Sequence, residues 1–531
     1  MSSSFDFHNV RQRTLPALLE HAARSHGAAP FLQEAGSGDW LSHEDAYDAA
    51  RAVAAGLVRI GVARGDFVPL MAPNCRDFVL SWFGISLLGA AYIAINTSLT
   101  GGLLASQFAL AKSRVWIVHA SFLHVLETLP EGLRAEVHTL VVIGASGEDA
   151  SPGWCRTIPF SRLLAETPTD LPEVDFTDVA AVMFTSGTTG PSKGVMGTQA
   201  QAVTTGQTFA SIVGLQARDT LFTPLPLFHG LSSRMGMVPA LLTGCRVVLG
   251  ARFSGSRFWR EAAECEATVA HTIFTIPNVL LAQEPGPQDR AHRVTRLFNA
   301  HHNPAFESRF GAKLVEALGI SEVGLFIASP LAEQCPGSAG RAHPDWEVIV
   351  ADADGVPLPD GEPGEILCRP KLPGLMMRGY LNLPDRTVEA LRDCWYHTGD
   401  IARRDADGYF WFLDRAKERI RRRGENVSSW EIEGAVRAHP AIVDVAAVAH
   451  PARAGEDDIR LLVVLREGAV LPEPELHDWL RERLPRFMLP RYIEVMPALP
   501  YTATSKVEKG KLMAAGLTPQ AWDAEAVPAH G

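Results

Sequence analysis

The stretch that decides the reading is Val182-Met-Phe184-Thr185-Ser186-Gly187-Thr188-Thr189-Gly190-Pro191-Ser192-Lys193-Gly194. An apolar run over 178–184 reads as a buried strand, and it opens into a loop crowded with hydroxyls and glycines. Glycines let backbone N–H groups approach an anion, hydroxyls donate further hydrogen bonds, and a lysine supplies positive charge, so the composition predicts a phosphate-binding loop. The P-loop of the nucleoside triphosphatases needs Gly-Lys-Ser/Thr. Here Lys193 is followed by Gly194, and the nearest preceding glycine is Gly190, so a Walker fold is disfavoured. The lysine stands out for a second reason. Of 49 basic residues in the 531-residue chain only eight are lysine, so arginine carries most of the surface charge.

Outward from the loop, helical spacing of apolar residues over 15–25 and 44–60 alternates with strand-like runs at 67–71, 115–119 and 139–144. This alternation predicts α/β layers with largely parallel sheets. The run 80–95 is interrupted by Ser81, Gly84, Ser86 and Gly89 and reads as a buried helix entering a strand, too short in apolar length to span a membrane. From about 340 to 414 the texture changes to short β-branched runs separated by Asp, Gly and Pro, as in a β-rich subdomain, and beyond 432 helices and strands alternate again in a tail of domain size. The basic stretch 415–424 is the junction.

The net charge of −11 argues against nucleic acid as the main partner. Seven scattered cysteines, none spaced Cys-x-x-Cys, fit reduced thiols in a cytosolic protein rather than a disulfide framework or a zinc site. No basic segment followed by an apolar one begins the chain, so no secretory signal is expected and the protein is expected to be soluble.

The loop Thr-Ser-Gly-Thr-Thr-Gly-x-x-Lys-Gly resembles the signature of the adenylate-forming superfamily, which includes acyl-CoA synthetases and peptide-synthetase adenylation domains. Further segments follow in the family's order. Pro224-Leu-Pro-Leu-Phe228-His229-Gly230 is similar to the segment with a gating residue beside the acyl pocket, and Gly319-Ile-Ser321-Glu322 stands where the family has Tyr-Gly-x-Thr-Glu. Tyr396-His-Thr398-Gly399-Asp400 and Asp414-Arg415 resemble its ribose-binding motifs, Gly424-Glu425-Asn426-Val its carboxy-terminal loop, and Thr502-Ala-Thr504-Ser505-Lys506 its catalytic-lysine segment.

The resemblance implies a large N-terminal domain of parallel-sheet α/β subdomains plus the β-rich subdomain (1–414). A small, mobile α+β C-terminal domain would follow (415–531), with a hinge at 415–418 that contains Lys417 and Glu418. It implies an acid–thiol ligase in two steps: a carboxylate attacks the α-phosphorus of ATP to give an acyl-adenylate and pyrophosphate, and the thiol of coenzyme A then displaces AMP. Thr185, Ser186, Gly187, Thr188, Thr189, Gly190 and Lys193 would hold phosphates, Glu322 would hold Mg²⁺, and Lys506 would bridge carboxylate and α-phosphate. Ala300, His301, Leu318, Gly319, Ile320 and Ser321 would border the adenine, and Asp400 and Arg415 the ribose. Gly424, Glu425 and Asn426 would line the pantetheine tunnel. Read alone, Asp400 could equally be a turn residue and Arg415 a surface ion pair. Arg419 and 421–423 could meet coenzyme A phosphates or form a solvated basic face.

Three departures stand out. Leu318 replaces the adenine-stacking aromatic, Asn299-Ala300-His301-His302-Asn303-Pro304 replaces a small Gly-Ala-Pro segment, and Thr504-Ser505-Lys506 replaces Thr-x-x-Gly-Lys. The two histidines would contact polar substrate groups or cap a helix; adjacent side chains diverge, so a metal site there is not expected. The departures leave open a relative that only converts a preformed acyl-adenylate, or a non-catalytic nucleotide-binding homologue. Within the family, amino-acid-activating domains place an aspartate where this chain has His229, and the wording around Gly424 is most similar to the carnitine/crotonobetaine and resin-acid CoA ligase branch. A bulky or unusual carboxylic acid is therefore expected, with Phe228, His229, Thr275, Ile276, Pro277, His301 and His302 around it and His229 also in a catalytic role.

Overall fold

Helix Leu15–His26 shows how local sequence sets the fold. The Thr14 side chain accepts a hydrogen bond from the Ala17 N–H, Pro16 occupies the first turn, and Leu15, Leu18, Leu19 and Ala22 form one buried stripe. The computed structural model describes residues 5–145, 152–168, 170–185, 193–273, 276–281, 283–299, 302–415, 420–422, 425–427, 429–452, 456–500, 507 and 509–526.

Contacts divide the chain into two units. The first comprises Met1–Thr97, Gln107–Phe184 and Gly194–Asp414; the second comprises Ser98–Ser106, Thr185–Lys193 and Arg415–Gly531.

Two seven-stranded sheets belong to the α/β part of the chain. One runs in the order Arg156–Pro159, Thr139–Ile143, Val115–His119, Phe67–Met71, Ala91–Ala94, Val179–Thr185, Lys193–Thr198. The other runs Lys313–Val315, Arg296–Phe298, Val269–His271, Thr220–Thr223, Arg246–Leu249, Pro30–Glu34, Leu41–Ser42. Pairing is parallel at most steps, and an antiparallel edge pair joins Pro30–Glu34 to Leu41–Ser42. Strands covered on both faces read as continuous apolar runs, as Thr139–Ile143 does with every residue buried. The interrupted apolar run resolves as helix Arg76–Leu87, buried on all sides from Phe78 onward, followed by strand Ala91–Ala94.

The third sheet is antiparallel, in the order Ala317–Ile320, Gly324–Ala328, Gly340–Ala342, Tyr409–Arg415, Tyr396–Arg404, Gly364–Pro370, Trp346–Ala351. The expected β-rich region near 340–414 therefore begins earlier, at Ala317. Its first two strands form a hairpin too short to show a period-2 pattern.

The second unit has its own core, with Ile432, Val436, Ile459, Leu461, Val463, Leu476 and Leu480 packed together. Helices Ser429–Arg437 and Glu473–Arg481 accompany a sheet ordered Ile442–Pro451, Asp457–Leu465, Tyr492–Val495, Trp522–Asp523. In that sheet the buried Arg460 donates to both carboxylate oxygens of Glu494, at 2.5 and 3.2 Å. Fold class thus follows the sequence expectation: parallel-sheet α/β, an antiparallel sheet and a small α+β unit.

Candidate active site

Strand Val179–Thr185 ends at Thr185, where the expected phosphate loop begins, and Lys193 opens the returning strand Lys193–Thr198. Ser186, Gly187, Thr188, Thr189 and Gly190 lie outside the described residues, as do Thr275, Ala300, His301, Lys417, Glu418, Gly424 and Lys506. The returning strand is gripped by a segment far along the chain. Met196 N–H donates to Gly379 O at 3.0 Å, Arg378 N–H to Met196 O at 2.8 Å, and Leu381 N–H to Gly194 O at 2.8 Å. A Cβ on Gly194 would stand 2.9 Å from a Val182 methyl, so the close approach of the two strands requires glycine there.

This pairing sets Tyr380 against Glu322. Glu322 sits in the turn between strands Ala317–Ile320 and Gly324–Ala328 and is only 6% exposed. The Tyr380 hydroxyl donates to its Oε1 at 2.8 Å, and the Met377 N–H donates to its backbone carbonyl at 2.7 Å. Tyr396 on strand Tyr396–Arg404 brings its own hydroxyl within 3.5 Å of Tyr380. Burial, and then the Glu322 carboxylate, push both phenols above their ordinary range, so they stay protonated and able to donate. Glu322 Oε2 accepts no hydrogen bond among the described residues. One buried, oriented carboxylate with an available oxygen suits Mg²⁺, which is commonly held by one or two carboxylates and substrate phosphates. Among the described residues no group of three or more His, Cys, Asp or Glu gathers as an all-protein metal site.

Leu318 and Ile320 lie on the same hairpin and pack on the cluster that contains Phe326, Tyr380 and Tyr396. Gly319 and Ser321 complete the expected adenine segment, with a register irregularity at Leu318/Gly319. Asp400 is fully buried in strand Tyr396–Arg404. The turn before it is organised by Glu365, whose carboxylate accepts from the Gly399 N–H at 2.8 Å and lies 3.0 Å from His397 Nδ1. Thr398 donates to Ile366 O at 2.8 Å and accepts from the Asp400 N–H at 3.0 Å. Gly399 adopts φ +71°, a left-handed turn that disfavours any side chain. Arg415 ends strand Tyr409–Arg415.

Phe228 is buried and its ring centroid lies 4.6 Å from that of His229, which caps helix Gly230–Thr243 by position. Asn74 holds the approach to this pair. Its amide donates to Leu225 O and Gly250 O, both at 2.8 Å, and accepts from Leu227 N–H at 2.9 Å. Ile276 and Pro277 begin the buried start of helix Ile276–Leu281. At His302 the N–H donates to Glu316 Oε1 at 2.8 Å, and Nδ1 is 3.5 Å from Glu307 on helix Pro304–Phe310. That helix is capped by Asn303, which accepts from the Phe306 N–H at 3.1 Å, so neither His302 nor a substrate is needed for the cap.

In the second unit, Ile420–Arg422 and Glu425–Val427 form a small hairpin that pairs Arg421 with Asn426 and Arg422 with Glu425. Arg422, grouped by sequence with arginines that could meet coenzyme A, is buried and lies 3.5 Å from Asp458, with a further bond to the Leu489 carbonyl. The alternation of a paired strand turns it inward, beside Ile420 and Val427 in burial. Sequence reasoning missed Tyr380, Asn74 and Glu365.

The chain matches the model of the AMP-binding enzyme family over residues 19–381, and that of the AMP-binding enzyme C-terminal domain over 431–506. A crotonobetaine/carnitine–CoA ligase of Salmonella paratyphi A is 32% identical over 467 residues, covering 85% of this chain and 89% of the relative. Among solved structures, the amide bond synthetase of Marinactinospora thermotolerans superposes with a TM-score of 0.80 at 23% identity, over 94% of this chain and 99% of that one. An anthranilate CoA ligase solved with anthranoyl-AMP gives 0.70 at 23%, over 94% and 97%. These two likenesses speak for the fold. No helix among the described residues is long and apolar enough to cross a membrane. Nothing in these findings favours an adenylation-impaired or non-catalytic relative. The chain belongs to the AMP-binding enzyme family, on its adenylate-forming, AMP-releasing acyl-CoA synthetase branch.

Proposed function

We propose that the protein activates a bulky or unusual carboxylic acid with ATP and transfers the acyl group to coenzyme A, through the site assembled around Glu322, Asp400 and the Phe228–His229 segment. The observation that carries this reading is Glu322: a buried carboxylate held at Oε1 by the Tyr380 hydroxyl, with its backbone carbonyl held by the Met377 N–H and Oε2 accepting no hydrogen bond among the described residues. Bound there with ATP, Mg²⁺ would offset the phosphate charge. Thr185, the loop 186–190 and Lys193 hold the phosphates by backbone N–H groups, hydroxyls and an ammonium. Asp400 accepts from ribose hydroxyls, supported by Arg415, while Leu318 to Ser321, with Ala300 and His301, border the adenine.

Carboxylate and triphosphate repel each other, so the first step needs positive charge where they meet. Lys506 supplies it, and His229 and Phe228 bound the acid with Pro277, Thr275, His301 and His302. In the second step the thiol of coenzyme A attacks the acyl carbonyl carbon, and the acyl–phosphate oxygen bond breaks to release AMP. A hinge at 415–418, with Lys417 and Glu418, lets domain 415–531 replace Lys506 by the Gly424-Glu425-Asn426 loop, which guides the pantetheine arm. The relative of Salmonella paratyphi A is named for crotonobetaine and carnitine. That name, with His229 in place of an aspartate, supports a non-amino-acid substrate. Seven cysteines without a disulfide support a cytoplasmic location.

The test is AMP release from ATP, Mg²⁺, coenzyme A and a panel of short, branched, aromatic and betaine-type acids. The reading expects at least one bulky or unusual acid to exceed a simple fatty acid in kcat/KM. Preference for a straight-chain fatty acid would overturn the substrate class, and absence of AMP release with every acid would overturn the reaction.

A further inference from the structure

Helix Gln199–Ile212 packs on helix Gly230–Thr243 so closely that a Cβ on Gly206 would stand 2.4 Å from Val238. Beside this contact lies Arg234, 4% exposed, and no carboxylate pairs with it among the described residues. Its Nη1 donates to Gln201 Oε1 at 3.3 Å, while Nε and Nη2 are buried without a hydrogen-bond partner among the described residues. A Cβ on Gly197 would be 2.6 Å from both Nη2 and Gln201 Oε1, so glycine there makes room for the pair. A buried, unpaired guanidinium is costly, and an apolar side chain of similar length would fill the same space without that cost.

The charge has a consequence for Gln201. A side-chain amide can flip by half a turn and offer either oxygen or nitrogen. Arginine only donates, so the oxygen must face Arg234 and the NH₂ must face the other way. That NH₂ donates to the Ser321 carbonyl at 3.1 Å. Ser321 is the residue before Glu322, whose backbone carbonyl and carboxylate accept from Met377 and Tyr380. One turn along the same helix, Thr205 packs where a Cβ on Gly324 would stand 2.4 Å from its Oγ1, so the helix is seated against both ends of the turn.

We propose that Arg234 and Gln201 are positioning residues: Arg234 locks the amide of Gln201, and Gln201 fixes the Ser321–Glu322 turn together with Tyr380 and Met377, so that MgATP meets a rigid carboxylate. This rests on the reading of Glu322 as the ATP-site carboxylate.

The test compares steady-state AMP release and thermal unfolding for Gln201→Glu, Gln201→Met, Arg234→Met, Arg234→Lys and Glu322→Gln in the full chain. Gln201→Glu keeps the shape and gives Arg234 a counter-ion, yet has no N–H for Ser321. Its unfolding midpoint should equal or exceed the wild type while KM for ATP rises ~10-fold or more, the scale seen when outer partners of metal ligands are lost. KM for the acid and for coenzyme A should change less than about twofold, within the usual scatter of remote substitutions. Gln201→Met and Arg234→Met should raise KM for ATP similarly, and Arg234→Lys should recover part of the loss. Unchanged KM for ATP in both Gln201 variants, alongside a raised one in Glu322→Gln, overturns the relay and leaves the site reading intact. Unchanged KM for ATP in Glu322→Gln overturns the site reading and the relay with it.

Discussion

Tyr380 gives Glu322 one hydrogen bond, and that bond decides which way the carboxylate faces. Removing a hydrogen bond to a charged, buried group costs about 1.5–3 kcal/mol. Tyr380→Phe should therefore lower kcat/KM for ATP by roughly 10- to 100-fold, with the fold retained because the ring still packs; each factor of ten corresponds to about 1.4 kcal/mol. Stopped or coupled assays of AMP formation across ATP concentrations read this directly, and a wild-type value would show that Glu322 needs no orientation. Glu322 itself was legible from its motif, since Gly-Ile-Ser-Glu occupies a recognisable slot in an ordered set. Tyr380 was not, because it lies 58 residues on and meets Glu322 only through pairing with the strand after the phosphate loop. By sequence Leu318 is a lost stacking surface; in the fold it packs on the apolar cluster around Tyr380 and Tyr396.

At the scale of elements, the segment from Leu225 to His229 is held by Asn74 at one end and by the Ser232 and Ser233 hydroxyls, which donate to its Pro226 and His229 carbonyls. Asn74 bonds two carbonyls and one N–H from two connections that are 151 to 176 residues away. Asn74→Ala leaves those groups partly unsatisfied. At roughly 1 kcal/mol per bond, denaturant unfolding should show a loss of about 2–3 kcal/mol. KM for the acid should rise more than KM for ATP, because Phe228 and His229 follow directly. A lone asparagine before a helix carries no sequence pattern that reveals such distant partners. Strands and helices of the α/β region were readable because burial on both faces gives continuous apolar runs, as at Thr139–Ile143. The hairpin at Ala317–Ala328 was hidden because strands of four and five residues with a register irregularity show no sustained alternation.

For the molecule as a whole, two buried histidines link stability to pH. His43 packs 4.9 Å from both Phe31 and His26, and burial, with His26 second, lowers its pKa from 6.5 to about 4. His271, beside Phe209, is lowered by burial from 6.5 to about 3. As pH falls below 6.5 the unfolded chain takes up these protons before the folded one can. Stability is therefore full above that value and declines as pH drops toward the folded values. The unfolding midpoint should be lower at pH ~5.5 than at pH ~7.5, and His43→Phe should narrow that difference by a few degrees. An unchanged difference would show that His43 is not a source of acid sensitivity.

The two units part between Asp414 and Arg415, with Ser98–Ser106 and Thr185–Lys193 grouped in the second, whereas the chemistry depends on the ordered set of motifs read together. The central claim is that this set makes an acyl-adenylate from a free acid. Acid-dependent exchange of labelled pyrophosphate into ATP, with coenzyme A omitted and Lys506→Ala as the comparison, measures that step alone. Exchange is expected with at least one acid of the panel, with a loss of ~100-fold or more in the variant. Nucleotide binding without exchange for any acid, or exchange undiminished in Lys506→Ala, would contradict it.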